Sequence, residues 1–332
     1  MVLVPSGKYL TAMAFLKGPC KGPMTFKLDG VLLATKDLSK YQRKNWISFE
    51  FIKNFKLIGR GTFDGQGQSA WANNKRTGKT FPTSLQFTNI DNGVVQGFSL
   101  LNAKMFHMMI FRCNNLMVDS VKINAPGNSP NTDGIHISLC NNIIIKNTKI
   151  STGDDCISIG QTNRGLSITN VICGPGHGIS VGSLGKYNSD KDVSDIMVSR
   201  CNIKGTTNGV RIKTWQKSYP LTCRNFTFQN IKMDNVLNPI IIDQEYCPYG
   251  NGRCGGQSTS SQVSIRDVTY DTIKGSSASQ VAINLKCSKS HPCKNLRFRN
   301  VNLKYNRGTT QSTCLNVANP NMNSVYPLTC KR

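Results

Sequence analysis

The chain has 332 residues, 38% hydrophobic and 17% charged: enough apolar content to bury a core, and too little charge for intrinsic disorder. Lys and Arg outnumber Asp and Glu 41 to 17, and the net charge of +24 attracts polyanions. The cations are spread along the chain, with no run of five or six and no RNA-binding aromatic signature, which argues against a nucleic-acid module.

No apolar stretch reaches the ~18 residues of a transmembrane helix, so no membrane role is expected. The opening, Met1-Val2-Leu3-Val4-Pro5-Ser6-Gly7, lacks a basic region and a long apolar region, so no signal peptide is visible. Thirteen cysteines nevertheless suit an oxidising compartment better than a reduced cytosol. Cys247 and Cys254, Cys287 and Cys293, and Cys314 and Cys330 lie at short intervals without a CxxC pair or a His cluster, so disulfides are favoured over a metal site. The odd count leaves at least one cysteine outside pairs within the chain.

From Val118 onward the chain repeats. Val118-Asp119-Ser120-Val121-Lys122-Ile123 is followed by similar segments from Ile145, Ile168, Val198, Phe228, Ile265 and Phe298. Each is an alternating apolar and polar run interrupted by Asn, Ser, Arg or Asp. Segments at such a spacing, with β-branched strands and Gly/Asn turns, mark a stacked solenoid, and no long segment keeps a helical apolar period. Each unit is too small to bury its own apolar face, so stacking must create the core. The expectation is one all-β domain; a β-propeller, the rival, needs about 40–45 residues per blade.

A second set of strands follows: Gly134-Ile135-His136-Ile137, Cys156-Ile157-Ser158-Ile159, Gly178-Ile179-Ser180-Val181 and Gly209-Val210-Arg211-Ile212. Just ahead of the first three stand Asp133, Asp155 and His177, each 22 residues from the next. Equivalent positions on neighbouring coils lie roughly 4.8 Å apart, so these three should form a ladder, with Asp154 beside it. Arg211 and Lys213 flank an inward Ile212 and should face outward.

Three carboxylates at matched register are costly, and their repulsion should leave one acid protonated beside ionised neighbours. Glycoside hydrolysis requires such a pairing: one acid protonates the leaving oxygen while a carboxylate activates water. Arg211 and Lys213 would bind the carboxylate of an acidic sugar. A lone Asp ahead of a strand is ordinarily a turn residue, but three in register beside a His do not read that way. A Ca²⁺ site is the sharper rival, opposed by the adjoining cations. His107 and His136 lack such company and are taken as structural.

At these residues the sequence resembles the polygalacturonases of glycoside hydrolase family 28. The four motifs are Asn131-Thr132-Asp133-Gly134, Gly153-Asp154-Asp155-Cys156, Gly176-His177-Gly178 and Arg211-Ile212-Lys213, in the family's order. The resemblance implies a right-handed parallel β-helix over residues 1–332 and inverting hydrolysis of α-1,4-linked galacturonate in pectin. It implies Asp154 as general acid, Asp133 and Asp155 as the pair that activates water, and His177 as support for the acid. Arg211, Lys213 and Tyr246 match substrate binders. No metal or organic cofactor is implied.

Ala125-Pro126-Gly127-Asn128-Ser129-Pro130 and Gln244-Glu245-Tyr246-Cys247-Pro248 resemble exo-acting, pollen-type plant members, with endo action or a non-catalytic polyanion-binding solenoid as alternatives. A pectate lyase would need Ca²⁺. The resemblance also implies secretion to the cell wall and action as a monomer. Plant members begin with a signal peptide and a further strand ahead of the stretch matching Val2 to Leu10, so the first coil is expected to be poorly capped. Cys156 and Cys173, on adjacent coils beside the acids, are expected to pair.

Overall fold

The computed structural model describes residues 1–77, 80–248, 254, 260–327 and 330. Almost every regular element is a short strand paired in parallel with the strand one coil away. Close contacts group the chain into two compact units: residues 1–158 with 170–176, and residues 159–169 with 177–332.

In the first unit the core is built from single-file stacks of apolar side chains. Phe26, Leu57, Val95, Val118 and Ile145 occupy one register position on successive coils, and all are buried. Phe63, Leu100, Ile123, Ile150 and Cys173 form a second stack. Phe49, Phe87, Ile110 and Ile137 form a third, opening with rings stacked at 5.6 Å. Strand alternation sends each second residue inward, so repeating the register repeats the buried residue. On the first coil Val2, Leu3 and Leu10 are exposed.

Turns between strands demand a left-handed backbone, and Asn tolerates it at low cost. Asn92, Asn115 and Asn142 sit at φ 58°, 53° and 54° on three successive coils. Their side-chain amides form a ladder, Asn142 donating to Asn115 and Asn115 to Asn92, each at 3.2 Å.

The second unit repeats the device. Ile168, Val198, Phe228, Tyr270 and Phe298 share one register position, with Phe228, Tyr270 and Phe298 stacked at 5.2 and 4.8 Å. Val181, Ile212, Ile242 and Leu285 line the facing strands.

Two sequence expectations change. The copy assigned to Ile265 is out of step: Ile265 pairs with Cys223, and Tyr270 is the partner of Phe228. The cause is the strand Val263–Ser277, which runs unbroken for 15 residues and buries Val263, Ile265, Val268, Tyr270 and Ile273, offering several similar starting points. The chain also holds an α-helix, Gln68–Thr77. It has no apolar periodicity of its own; buried Ala70 and the Trp71 indole, which donates to the Ala103 carbonyl at 3.0 Å, tie it down.

All four expected cysteine pairs are disulfides: Cys156–Cys173, Cys247–Cys254, Cys287–Cys293 and Cys314–Cys330. Cys113, Cys140, Cys201 and Cys223 are buried thiols inside the stack, and Cys20 is an exposed one.

Candidate active site

In the first unit the acids occupy the turn that enters the strands Ile135–Ser138 and Ile157–Ile159. The Gly134 amide donates to the Asp155 carbonyl at 2.9 Å, and the Ile135 amide to the Cys156 carbonyl at 3.0 Å. Asp133 and Asp155 are therefore equivalent positions on adjacent coils, as their spacing predicts. Both are buried, with 6% and 2% of their surface exposed, so their charges sit where water screens them poorly.

Asp154 is half-buried, and the Asp155 amide donates to its Oδ1 at 2.8 Å. That contact orients the Asp154 carboxyl through the backbone of its own neighbour. Thr152 Oγ1 donates to the Asp154 carbonyl at 3.0 Å, and the Gly153 amide donates to Thr132 Oγ1 at 3.0 Å. A Cβ on Gly153 would lie 1.9 Å from the Ser129 carbonyl oxygen, so only glycine lets this turn approach the coil before it. The Cys156–Cys173 bridge, Cα atoms 5.9 Å apart, closes the segment directly behind the acids.

Two histidines that the sequence reads as structural lie beside this turn. His107 stands opposite Gly134, one position off the aspartate ladder, and its amide donates to the Asp133 carbonyl at 2.8 Å. Its ring is fully buried, with Nε2 accepting from the Ala103 amide at 3.3 Å and Nδ1 lying 3.1 Å from the Asp133 carbonyl oxygen. With both nitrogens committed to the backbone, burial pushes its pKa down to about 4. His107 is a neutral structural residue, as expected. His136 is different: it points outward, stacks on Phe106 at 5.2 Å, and touches the hydroxyls of Ser138 and Ser158.

The second unit carries the cations. His177 is half-buried ahead of the strand Ile179–Leu184, and its carbonyl accepts from Asn208 Nδ2 at 3.3 Å. Gly178, at φ 84°, would place a Cβ 2.0 Å from the Asn208 carbonyl oxygen, so glycine is obligatory there. Ser180 and Arg211 are register partners, and Arg211 Nε donates to Ser180 Oγ at 3.0 Å. Lys213 points away from the core as Ile212 dictates, yet only 7% of it is exposed. The Tyr246 ring lies 5.2 Å from Lys213 Nζ. Trp215 meets Tyr246 edge to face at 5.9 Å, and Lys186 Nζ lies 4.9 Å over the Trp215 ring.

Asp243 pairs in register with Lys213; burial raises its pKa, against the charges of Lys286 and Arg211. Ser180, Lys186, Trp215 and Asp243 were not singled out from the sequence. Trp215 had a signal, two residues beyond Lys213 on the same outward face of the strand Asn208–Trp215. Lys186 had none, since it reaches Trp215 from the end of a neighbouring coil.

The first unit thus carries in-register aspartates on stacked parallel coils, and the second an Arg, Lys and Tyr cluster. The family known as glycosyl hydrolases family 28 matches residues 1–325, and the chain belongs to it. The chain is 44% identical to an exopolygalacturonase from Platanus acerifolia, across 95% of this chain and 85% of that one. It is 43% identical to a polygalacturonase from Brassica napus, across 99% and 84%. Among solved structures, endo-xylogalacturonan hydrolase from Aspergillus tubingensis superposes with a TM-score of 0.81 at 23% identity, covering 96% of this chain and 88% of that one. That likeness establishes the right-handed parallel β-helix.

Proposed function

We propose that this chain is an exo-acting polygalacturonase that removes galacturonate from the end of polygalacturonate with inversion. The observation that carries the reading is the equivalence of Asp133 and Asp155 on adjacent coils, with the neighbouring Asp154 carboxyl oriented by the Asp155 amide. Asp154 protonates the glycosidic oxygen, and Asp133 and Asp155 hold and deprotonate the attacking water on the opposite face of the sugar. His177 supports Asp154.

Arg211 and Lys213 bind galacturonate carboxylates. Ser180 fixes the Arg211 guanidinium through Nε, and Tyr246 shields Lys213 from water, which strengthens its attraction for an anion. The +24 surface draws the polyanion in. Exo action rests on the 44% identity to the Platanus exopolygalacturonase and on the loop sequences noted above. Residues 1–332 act as one catalytic domain, secreted to the cell wall, working as a monomer and without a metal.

The test is a time course on polygalacturonate in the presence of EDTA. The expected result is monomer accumulating while viscosity falls slowly, with no unsaturated product. Rapid viscosity loss with mixed oligomers means endo action, and loss of activity in EDTA together with ultraviolet-absorbing product in its absence means a lyase.

A further inference from the structure

Asp133 does not stand alone. Ser158 Oγ, on the next coil, donates to Asp133 Oδ2 at 2.6 Å, and His136 Nδ1 lies 2.8 Å from the same Ser158 oxygen. His136 Nε2 lies 2.8 Å from Ser138 Oγ. Ser158, Ser138 and Asp133 are buried, so these contacts do not exchange freely with water.

The proton count fixes the direction of the chain. Ser158 Oγ donates its single hydroxyl proton to Asp133 Oδ2. Ser158 then has only lone pairs left for His136, so His136 Nδ1 carries a hydrogen and donates. Its Nε2 lies within hydrogen-bond distance of the Ser138 hydroxyl. The imidazole plane is held from outside by Phe106. The result is a directed line, His136 to Ser158 to Asp133, ending on one oxygen of the carboxylate.

We propose that His136 is a positioning residue for the Asp133 carboxylate, acting through Ser158. This rests on the reading of Asp133 as a water-activating base. The line pins the carboxylate through Oδ2 and so fixes where Oδ1 points. A base that must meet one water at one angle gains from a carboxylate that cannot rotate, because a misplaced group loses rate rather than affinity. His136 moves no proton in the reaction.

A double-mutant cycle tests this, with kcat and KM on polygalacturonate read beside the melting temperature. His136→Phe keeps the ring and its stacking on Phe106 but removes both nitrogens. The expected result is a fall in kcat of about tenfold to a hundredfold, the range for a lost hydrogen bond to a charged group, with KM unchanged. Ser158→Ala should lose as much. The double variant should lose no more than Ser158→Ala alone, because both act on one line. His136→Asn, whose amide nitrogen falls near the Nδ1 position, should recover most of the rate.

Additive losses, a kcat for His136→Phe within twofold of wild type, or no recovery by His136→Asn would overturn the proposal. Should His136→Phe not fold, Ser158→Ala and His136→Asn carry the same test. Asp133→Asn separates this idea from the reading beneath it. If Asp133→Asn keeps wild-type kcat, the role of Asp133 is wrong; if it is inactive while the cycle is additive, only the positioning line is wrong.

Discussion

Two turns of the first unit stack side chains coil upon coil in opposite ways. At one turn Asn92, Asn115 and Asn142 stack neutral amides, each donating to the one before it. At the other, Asp133 and Asp155 stack carboxylates in the same register logic. A neutral ladder satisfies itself, since each amide is both donor and acceptor. A carboxylate ladder cannot, because carboxylates only accept and repel one another. The chain therefore surrounds the second ladder with devices the first does not need: the Asp155 amide on Asp154, the Ser158 hydroxyl on Asp133, and a disulfide behind them. Stacking that costs stability marks chemistry, and stacking that satisfies itself marks structure.

The largest expected effect breaks the costly ladder at its acid. Asp154→Asn keeps the shape and the contact with the Asp155 amide but removes the transferable proton. The expected loss is on the order of 10²–10⁴ in kcat with KM nearly unchanged, measured by reducing-sugar release. A variant keeping more than a tenth of wild-type kcat means that another residue is the acid. Lys213→Ala should show the reverse pattern, a KM raised by about tenfold or more, since a cation shielded by Tyr246 is strongly felt by a substrate carboxylate. An unchanged KM removes Lys213 from the substrate-binding set.

How far the sequence carried the site follows from the same contrast. The acids were legible because Asp133 and Asp155 each precede a strand at a fixed 22-residue offset, and backbone pairing converts offset into register. His136 and Ser158 share that 22-residue offset three residues further on, so the signal for the positioning line was present and went unread. Lys213 was correctly sent outward, but its burial was not legible, since the Tyr246 ring arrives from another coil. The solenoid was legible from stacked apolar positions. Its register failed at Ile265, where a 15-residue strand offers more than one equally good alignment. The helix at Gln68–Thr77 was illegible because partners distant in sequence hold it, not its own periodicity.

The support behind the acids is the next point to break. The Cys156–Cys173 bridge closes a loop of 17 residues, and restricting such a loop in the unfolded chain is worth about 3 kcal/mol. Cys156→Ser with Cys173→Ser should lower stability by about that amount, read from guanidinium unfolding, and should lower kcat as the acid turn loosens. Unchanged stability would mean that packing alone holds this turn.

His107 gives the charged turn a pH dependence. Its pKa is near 4 in the folded protein because burial disfavours the cation, against an ordinary 6.5. The unfolded chain thus takes up the proton first as pH falls. The stability from the neutral ring is fully present above pH 6.5 and is lost as pH falls from 6.5 towards 4. At pH 5 the loss amounts to about 2 kcal/mol. His107→Gln should remove that increment from the stability difference between pH 7 and pH 5, whatever its absolute stability. An identical difference in both proteins would mean that the ring does not titrate between those limits.

The smallest expected effect belongs to the neutral ladder. Asn115 occupies the left-handed region at φ 53°, donates its amide to Asn92 and accepts one from Asn142. Asn115→Ala loses two things at once. A Cβ without a polar tip in that conformation costs roughly 1 kcal/mol or more. The two amide contacts lie at an exposed position, where water replaces most of their worth, and add about 0.5 kcal/mol each at most. The sum is about 1–2 kcal/mol. Asn115→Gly separates the contributions, because glycine enters the left-handed region freely while losing the same contacts. It should cost less than alanine, by the difference the backbone makes. Activity should be unchanged in both variants, since nothing at this turn faces the acids. If glycine proved as damaging as alanine, the amide ladder rather than the backbone would be the stabilising element. A fall in kcat from either variant would mean that the neutral and the charged turns are coupled through the coils they share.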